Sequence, residues 1–481
     1  MISRSLHPAP IRAVCQRRRR WAFGLTVRTI VLLLIGFLWL IPGFWMGSLA
    51  YAMLAWDALI LIAALLDGVR LPRAAQLTAG RQWLNTPALG GQTEIELIVE
   101  NAARTIVECR LVDDLPVALV AEPATHRLTA FPHVPASVRY RVTPRERGDW
   151  ETGWLYLRYR SPLGLAERWA RAPLTQSVRV YPALRTGEEQ QIFLARSRQI
   201  DLQLRQARQR GLGRDFESLR EYREGDDLRD ICWTASARRG SPITRQYQSE
   251  RSQAVWIVLD CGRLMRSRIA PTTNLLQNPG GAPSPQNSGP APSSHSKLDY
   301  ACSTAVALAQ LALFSGDRVG LLAYGQSIQQ RLLPGRGAAH LRQLIELLAQ
   351  VRAESSEADH LRATATLNRL QPRRSLILWI TDLAETAMRP EVIEGAMQLV
   401  RRHVLLFVAM AQPEVTRIAA SRPKSIEHMF LAAAAQEMAA RRDLLLARLH
   451  EHGALTLDLD PETLTSSVLN RYLTVKERAM V

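Results

Sequence analysis

Hydrophobic and polar positions divide the chain into an apolar stretch, a region that alternates with period two, a charge-dense connector and a region of continuous apolar runs. The apolar stretch extends over 38 residues from Thr29 to Leu66 and contains one charged residue, Asp57. A single helix of this length would be about 57 Å long, well beyond the ~30 Å hydrocarbon core of a bilayer. We therefore predict a transmembrane hairpin over residues 29–66, with spans near Thr29–Trp45 and Ser48–Leu66.

Positive charge flanks the predicted hairpin on both sides. Residues 1–28 contain seven arginines and no acidic residue, and Arg70 and Arg73 follow the second span. Because arginine-rich loops stay on the cytoplasmic side, we expect a basic cytoplasmic arm over residues 1–28. The expected location is the inner (cytoplasmic) membrane, multi-pass, with both termini and the soluble domains in the cytoplasm. A cleaved signal peptide is the competing interpretation, but the apolar stretch is too long and no small-residue cleavage site follows it.

Asp57 lies inside the second predicted span. An ionisable residue within a span is by default a candidate for proton transfer or partner contact. The alternative is a protonated carboxyl group that faces the first helix or a hydrated interface. We favour this alternative, because two helices form a poor transport path.

The second region, residues 67–185, alternates between hydrophobic and polar residues. The clearest runs are Thr93–Glu100, Ser137–Val142, Trp154–Arg160 and Ser177–Tyr181. Alternation with period two is typical of strands that bury one face, and turn residues separate the runs. We predict an immunoglobulin-like β-sandwich here. It contains no evident catalytic cluster, so its expected role is to provide binding edges and rigid spacing.

The third region, residues 186–252, is a basic connector followed by a charge-paired segment. Residues 195–210 hold five arginines and one aspartate, which fits attraction to anionic lipid headgroups or a solvated connector. Residues 213–251 hold eight acidic residues and eight arginines. This density favours bidentate arginine–carboxylate pairs, anchored by apolar residues that include Ile231 and Trp233. The segment is either a recognition surface or a brace between domains, and both interpretations stay open.

The fourth region, residues 253–481, alternates between continuous apolar strands and helical segments. The predicted strands are Ala254–Leu259, Val319–Tyr324, Ser375–Ile380 and Val404–Met410, and the predicted helices include Leu298–Phe314 and Ala339–Val351. Strands without alternation are buried on both faces, which predicts a doubly wound parallel sheet covered by helices. Asp260 and Asp382 stand at carboxyl ends of strands, where such sheets bind ligands. Residues 268–296 are a predicted disordered insertion, since 13 of the 20 residues from Gln277 to Ser296 are Pro, Gly or Ser.

Several sequence blocks carry a family resemblance. They are GRDFESLREYREGDDLRDICWTASARRG (Gly213–Gly240), VLDCGRLM (Val258–Met265), GDRVGLLAYG (Gly316–Gly325), LNRYLTVKER (Leu469–Arg478) and, in the predicted sandwich, SPLGL (Ser161–Leu165). Through them the chain resembles domain-of-unknown-function family fifty-eight over nearly its whole length. The resemblance implies a von Willebrand factor A-like domain over residues 253–481. The expected fold class is therefore α/β plus all-β: a two-helix transmembrane hairpin, an immunoglobulin-like β-sandwich and a von Willebrand factor A-like doubly wound parallel sheet.

The resemblance also implies partners. Family members are often encoded beside MoxR-type AAA+ ATPases, which implies a role with such an ATPase in the assembly or maturation of client proteins. We expect a membrane-anchored adaptor that is not an enzyme, with no nucleic-acid partner and no small-molecule substrate. The expected docking surface is the block Gly213–Gly240, where charge would mainly set specificity and association rate. Its principal binding residues are Arg220, Arg229, Trp233, Arg238 and Arg239.

A metal site is considered because von Willebrand A domains can bind Mg²⁺ through an Asp-x-Ser-x-Ser strand end, a threonine and a second aspartate. Here the strand end reads DCGRL from Asp260 to Leu264, so glycine and leucine replace both serines. The expected second loop, residues 335–340, has no threonine. Asp260 and Asp382 remain as weak candidates, and an octahedral ion needs more ligands. We expect no metal and no cofactor, with Arg263 as an alternative source of positive charge.

Composition suggests two other functions. The 481 residues carry 61 basic and 44 acidic side chains, and the net charge of +17 prompts a nucleic-acid-binding alternative. Seven of these charges lie in the N-terminal arm, which the membrane orientation explains. The other alternative is a hydrolase acting on envelope components, for which the candidates are Asp260, Asp382 and the pair Asp226-Asp227. The sequence has no GxxxxGK[ST], HExxH or GxSxG motif and no CxxC pair among its five cysteines.

Overall fold

A computed structural model describes residues 8–17, 23–39, 48–183, 215–222, 231–248, 253–269, 295–383, 390–423 and 425–478. The chain divides into two compact units, Met1–Tyr181 and Pro182–Val481. Together they have the predicted class, all-β followed by α/β.

The first unit is built from antiparallel strands, with two helices between its third and fourth strands. Its strands are β1 (Ile11–Val14), β2 (Gln16–Arg17), β3 (Phe23–Leu25), β4 (Leu77–Trp83), β5 (Thr93–Asn101), β6 (Val107–Asp113), β7 (Leu119–Glu122), β8 (His126–Ala130), β9 (Ala136–Pro144), β10 (Gly148–Thr152), β11 (Leu155–Arg160), β12 (Ala166–Ala172) and β13 (Gln176–Val180). Its helices are α1 (Val27–Gly36) and α2 (Ser48–Arg70).

Two main sheets share one apolar core in this unit. The first has the strand order β1-β4-β5-β9-β7 and the second β2-β12-β11-β6-β8, with β3 also paired to β12. Alternation explains the layering: every second residue of β5 is buried, and its Ile95 and Leu97 meet Leu111 and Leu157 of the second sheet in the core. Burying one such side chain contributes about 1.5–3 kcal/mol, which fixes the register of each strand. The strands β10 and β13 form a separate pair.

The N-terminal arm is part of the sandwich, which differs from the predicted boundaries. Residues 11–14 pair with β4, and residues 16–17 and 23–25 pair with β12. The arm therefore enters both sheets before the chain turns into α1. Ile11, Ala13 and Cys15 form a short apolar alternation that packs on the core. The many arginines of the arm obscured this alternation in the sequence.

The helical part differs from the predicted hairpin. The segment Tyr51–Arg70 of α2, with 20 residues and a mean hydropathy of 1.9, is the one helix in the described parts of the chain that is long and apolar enough to span a membrane. The helix α1 has 10 residues, about 15 Å, or half of a hydrocarbon core. Two full spans are thus not confirmed.

The two helices contact each other closely at Gly36. A Cβ atom built on Gly36 would lie 2.4 Å from Oδ1 of Asp57, so a larger residue here would displace the Asp57 side chain. Trp56 donates from Nε1 to the carbonyl of Leu32 at 3.0 Å. Asp57 therefore faces the first helix, and its buried Oδ1 atom has no hydrogen-bond partner among the described residues.

The second unit contains a short hairpin region followed by an α/β domain. Its strands are β14 (Asp215–Glu221), β15 (Ile243–Gln248), β16 (Ala254–Asp260), β17 (Arg268–Ile269), β18 (His295–Ser296), β19 (Arg318–Tyr324), β20 (Ile328–Gly335), β21 (Leu376–Thr381), β22 (Val404–Met410) and β23 (Leu455–Leu459). Its helices are α3 (Trp233–Arg239), α4 (Lys297–Phe314), α5 (Gly337–Gln350), α6 (His360–Leu370), α7 (Pro390–Val400), α8 (Pro413–Ala420), α9 (Ile426–Glu451) and α10 (Leu464–Glu477).

The α/β domain has the strand order β20-β19-β16-β21-β22-β23. All pairs are parallel except the edge strand β20, which is antiparallel to β19. Every residue of β16, β21 and β22 is buried, as the continuous apolar runs predict for strands covered on both faces. In sequence order this is the doubly wound arrangement 3-2-1-4-5-6. Its switch point lies between β16 and β21, and ligands of such sheets bind at that point.

The predicted disordered insertion has ordered ends. Residues 268–269 pair with residues 295–296 as the small antiparallel ladder β17–β18. The prediction of disorder over 268–296 is therefore corrected at both ends, and residues 270–294 lie outside the described part. The ladder closes the insertion directly before α4, which places the first residue of α4 next to the strand ends.

Candidate functional site

The switch point of the parallel sheet brings together two buried aspartates. Asp260 is the last residue of β16, and Asp382 directly follows β21; they are 4% and 0% exposed. Thr381 donates its hydroxyl proton to Oδ2 of Asp260 at 2.6 Å, and the backbone N–H of Gly262 donates to Oδ1 at 2.7 Å. The predicted strand-end pair is therefore adjacent, and both oxygens of Asp260 are satisfied by the protein.

A lysine neutralises the second aspartate. Lys297, the first residue of α4, is 2% exposed, and its Nζ atom lies 2.5 Å from Oδ2 of Asp382. The local sequence Ser296-Lys297-Leu298-Asp299 forms a capping box, which starts the helix and fixes this lysine at its first position. Gln412 also donates to Oδ2 of Asp382 at 3.2 Å, and Arg442 approaches Oδ1 at 3.7 Å.

Burial sets the proton affinities of these groups. It raises the pKa of Asp260, against the opposing effects of His360 and of the hydrogen bonds from Thr381 and Gly262. It lowers the pKa of Lys297, against the attraction of Asp382. The site therefore consists of the carboxyl group of Asp260 and the ion pair of Lys297 and Asp382. Each charge of the pair stabilises the other in surroundings from which water is excluded.

The residues present do not fit an octahedral Mg²⁺ ion. A bound ion would need oxygen ligands and waters, but Asp382 is held by an ammonium group, and positions 262 and 264 offer no hydroxyl. A Cβ atom on Gly262 would lie 2.9 Å from the backbone nitrogen of Ala358, so a serine at this position has no room. In the described parts of the chain no group of three or more His, Cys, Asp or Glu could hold a metal ion.

Arg263 does not take the role that the sequence suggested for it. Its side chain is 47% exposed and lies 3.8 Å from Glu357, and Lys297 is the cation at the aspartates. The sequence could have drawn attention to Lys297, because only three of the 61 basic residues are lysines. Its distance of 37 positions from Asp260 concealed it.

A hydrogen-bonded aromatic cluster that the sequence did not indicate lies in the same core. Trp379 donates from Nε1 to the hydroxyl of Tyr324 at 2.7 Å, and this hydroxyl lies 2.9 Å from Nδ1 of His360. All three side chains are buried, so His360 is not exposed to a substrate as a base. The cluster places hydrogen-bonded polar groups inside the apolar core. We assign it a structural role.

The predicted docking residues lie mostly at the surface. Trp233, the first residue of α3, is 72% exposed, which corrects its predicted use as an internal anchor, whereas Ile231 is 8% exposed and is an anchor. Arg238 and Arg239 in the last turn of α3 are exposed, and Arg220 on β14 is half-buried. Arg229 and most of the predicted arginine–carboxylate network lie outside the described residues.

A second exposed surface was not identified from the sequence. Ile426, Met429 and Phe430 share one face at the start of α9, with exposures of 72%, 52% and 68%. Their spacing of three and four residues is the usual apolar stripe of a helix, and here the stripe faces solvent. Exposed apolar surface of this kind marks contact with proteins or membranes.

The first unit has a specialised junction between its helices and the second sheet. Asp67 of α2 is 3% exposed and accepts hydrogen bonds from the Ser161 hydroxyl at 2.5 Å and from the backbone nitrogens of Leu165 and Ala166 at 3.1 and 3.0 Å. The segment Ser161–Leu165 is the SPLGL block of the sequence analysis. Its structural role is therefore to bind the end of α2.

The same segment binds the start of α1. Thr26, the N-cap residue of α1, donates to the carbonyl of Gly164 at 2.5 Å, and Thr29 donates to that of Leu165 at 2.5 Å. Both helices are thus fixed to one loop of the sandwich. The connection between the apolar helices and the sandwich is rigid, with its polar groups buried and satisfied.

Fold and sites define a mixed α/β protein with a doubly wound, mainly parallel sheet, an antiparallel sandwich and an apolar helical segment. Residues 218–272 and 286–425 match the family model "Protein of unknown function DUF58". This part of the chain is similar to the DUF58 family, which confirms the resemblance found in the sequence.

Solved structures with similar folds are distant. They include a conserved hypothetical protein, BatB, from Bacteroides thetaiotaomicron (12% identity, 47% of this chain and 100% of that chain, TM-score 0.28) and the SpRpn10 VWA domain (12%, 46% and 95%, TM-score 0.23). An uncharacterised membrane-spanning protein from Vibrio fischeri is 14% identical over 46% of this chain and 95% of that chain, with a TM-score of 0.17. A search of curated proteins finds no match. The fold assignment rests on the strand order itself.

Proposed function

We propose that the protein is a membrane-anchored adaptor that works with a MoxR-type AAA+ ATPase in the assembly or maturation of client proteins. The observation that carries the proposal is the exposure of Trp233, Arg238 and Arg239 on the short helix α3. Tryptophan and arginine are the side chains that most often dominate protein interfaces. A tryptophan that is 72% exposed supports a partner that covers it.

The candidate site supports an interaction role over a catalytic one. Lys297 and Asp382 form a buried pair at the point where sheets of this class bind ligands. Because these two charges neutralise each other, the loops outside the sheet remain as the surface for contact with a partner. No geometry among the described residues favours the hydrolase or the nucleic-acid alternative.

We place the protein in the inner membrane as a multi-pass protein, with α1 and α2 as parts of a hairpin and both termini in the cytoplasm. The apolar segment Tyr51–Arg70 and the exposed apolar side chains of α1 support membrane contact. The arginines of residues 1–28, with Arg70 and Arg73, support the cytoplasmic orientation.

The ATPase partnership is tested by co-expression with a MoxR-type AAA+ ATPase and co-purification from membranes. We expect Arg238→Glu/Arg239→Glu to lower recovery of the ATPase about tenfold, because complementary charge sets association. Trp233→Ala should lower recovery through loss of buried contact area.

Arg401→Glu/Arg402→Glu is the matched control, since this second pair of adjacent, exposed arginines lies in the same unit and far along the chain. It should leave recovery unchanged. Equal recovery with the α3 charge reversal and with wild type would remove the docking proposal.

A further inference from the structure

A cavity of about 420 Å³ lies on the outer face of the second sandwich sheet, beside the start of α1. Its walls are Thr26, Val27 and Arg28 at the beginning of the helix and residues of β6, β8, β11 and β12. Five arginines and two glutamates line it. The cavity therefore carries excess positive charge at the place where the chain leaves the sandwich for its apolar helix.

Three of these arginines stand in a row across neighbouring strands. Arg127 on β8 is directly opposite Arg110 on β6, which is directly opposite Arg158 on β11. Like charges at opposed positions destabilise a sheet. The adjacent row on the same face has opposite charges instead, with Arg160 beside Glu108 at 2.7 Å. The sheet thus neutralises one row and leaves the other positive.

The glutamates of the cavity are already used. Glu167 accepts from Arg158 at 2.6 Å, and Glu108 pairs with Arg160. Arg28, Arg110 and Arg127 have no carboxylate partner among the residues that the structure describes. Three guanidinium groups are therefore left to receive an anion, and their planar donor forks match phosphate oxygens.

The position of the cavity identifies the source of the phosphate. Val27, Ile30 and Leu34 of α1 are 70%, 48% and 59% exposed, so hydrocarbon would begin within one turn of the cavity. We propose that the cavity binds the phosphate of an anionic phospholipid headgroup on the cytoplasmic leaflet. This rests on the proposed membrane anchoring, and it gives the sandwich a specific lipid contact at the base of the hairpin.

Thermal unfolding of the full-length protein in a neutral detergent tests the proposal, with phosphatidylglycerol, phosphatidylcholine or inorganic phosphate added. Phosphatidylglycerol should raise the unfolding midpoint of wild type by about 5 °C at saturation, and phosphatidylcholine should not. The double variant Arg110→Gln/Arg127→Gln should lose this shift. Without lipid it should be as stable as wild type or more stable, because the opposed charges are gone.

Arg139→Gln/Arg141→Gln on β9 is the matched control, two exposed arginines beside Glu96 and Glu94 on the other sheet. It should keep the lipid shift.

A phosphatidylglycerol shift that survives Arg110→Gln/Arg127→Gln, or no shift in wild type, would overturn the proposal. An equal shift with inorganic phosphate would overturn the lipid assignment. Fractionation of the cells separates the two ideas: recovery in the soluble fraction contradicts membrane anchoring, whereas recovery in membranes without a lipid shift contradicts only this site.

Discussion

The use of lysine shows how the sequence encodes the candidate site at the scale of single residues. Only three of 61 basic residues are lysines, and two of them, Lys297 and Lys476, are 2% and 9% exposed beside Asp382 and Asp317. An ammonium group is a compact point charge with three donors, whereas a guanidinium group needs a wide planar site. Lysine therefore stands in these two places for a steric reason.

Lys297→Met tests whether the ammonium group holds the strand ends together. We expect a loss of about 3–5 kcal/mol in the free energy of unfolding, because Asp382 would remain buried without its main counter-charge. Tryptophan fluorescence during urea unfolding in detergent measures this, since Trp256 and Trp379 lie in the core of the same domain.

The double variant Lys297→Met/Asp382→Leu is the control. Removing both charges should recover most of the lost stability, because apolar replacement of a buried pair is close to neutral. If the single variant were as stable as wild type, the pair would be unimportant. If Mg²⁺ raised the midpoint of wild type, the metal-free interpretation of the site would be wrong.

At the scale of elements, the structure explains the SPLGL block, Ser161–Leu165, as a junction loop between the sandwich and the two helices. Its serine and backbone nitrogens donate to Asp67 of α2, and its carbonyls accept from Thr26 and Thr29 of α1. These contacts join residues that are 94 to 138 positions apart, so no local pattern could indicate them. The family resemblance marked the loop, and the structure supplies the reason.

Asp67→Ala should loosen this junction. It leaves the backbone N–H groups of Leu165 and Ala166 buried without acceptors, which costs about 2–4 kcal/mol. Trypsin should then cut faster after Arg70 and Arg73, and the appearance of the released fragments over time measures this.

Asp67→Asn is the matched variant, because its amide oxygen can still accept from both nitrogens and its NH₂ group can donate to Ser161. Its cleavage rate should stay near that of wild type. Equal rates for Asp67→Ala and wild type would show that the junction is held by apolar packing alone.

Element boundaries were predictable where one periodicity dominates. The run at Val404–Met410 became β22 with the same ends, and Thr93–Glu100 became β5 with one added residue. The strands β1 to β3 were missed because arginines separate their few apolar residues. The first helix was expected to be longer, since apolar composition indicates membrane compatibility but not where a helix ends.

At the scale of the molecule, topology decides what the sequence could show of the site. The rule that ligands meet the carboxyl ends of parallel strands placed Asp260 and Asp382 together, as observed. The same rule does not say which helix supplies a neighbouring cation, because that depends on how the insertion after β16 returns to the sheet. The rarity of lysine marks Lys297 in the sequence, but its position beside Asp382 follows only from the ladder β17–β18, which fixes the start of α4.

The orientation of the protein in the membrane can be measured by labelling introduced cysteines. All five native cysteines are buried, and burial raises the pKa of Cys15 and Cys109 to about 12, so their thiols are protonated and shielded at neutral pH. A cysteine introduced at an exposed position is then the main reactive thiol. Val117, which is 95% exposed, reports on the first unit, and Ile426, at 72%, reports on the second.

Val117→Cys and Ile426→Cys should react with a membrane-impermeant maleimide only after the cells are opened, because arginines flank the helices on the side that faces the cytoplasm. Wild type, with no exposed cysteine, gives the background. Labelling of both variants in intact cells would place both units outside and overturn the adaptor proposal, since a cytoplasmic ATPase could not reach α3. Labelling of one variant alone would put the two units on opposite sides, which requires an odd number of crossings between residues 117 and 426 and contradicts a hairpin confined to residues 29–66.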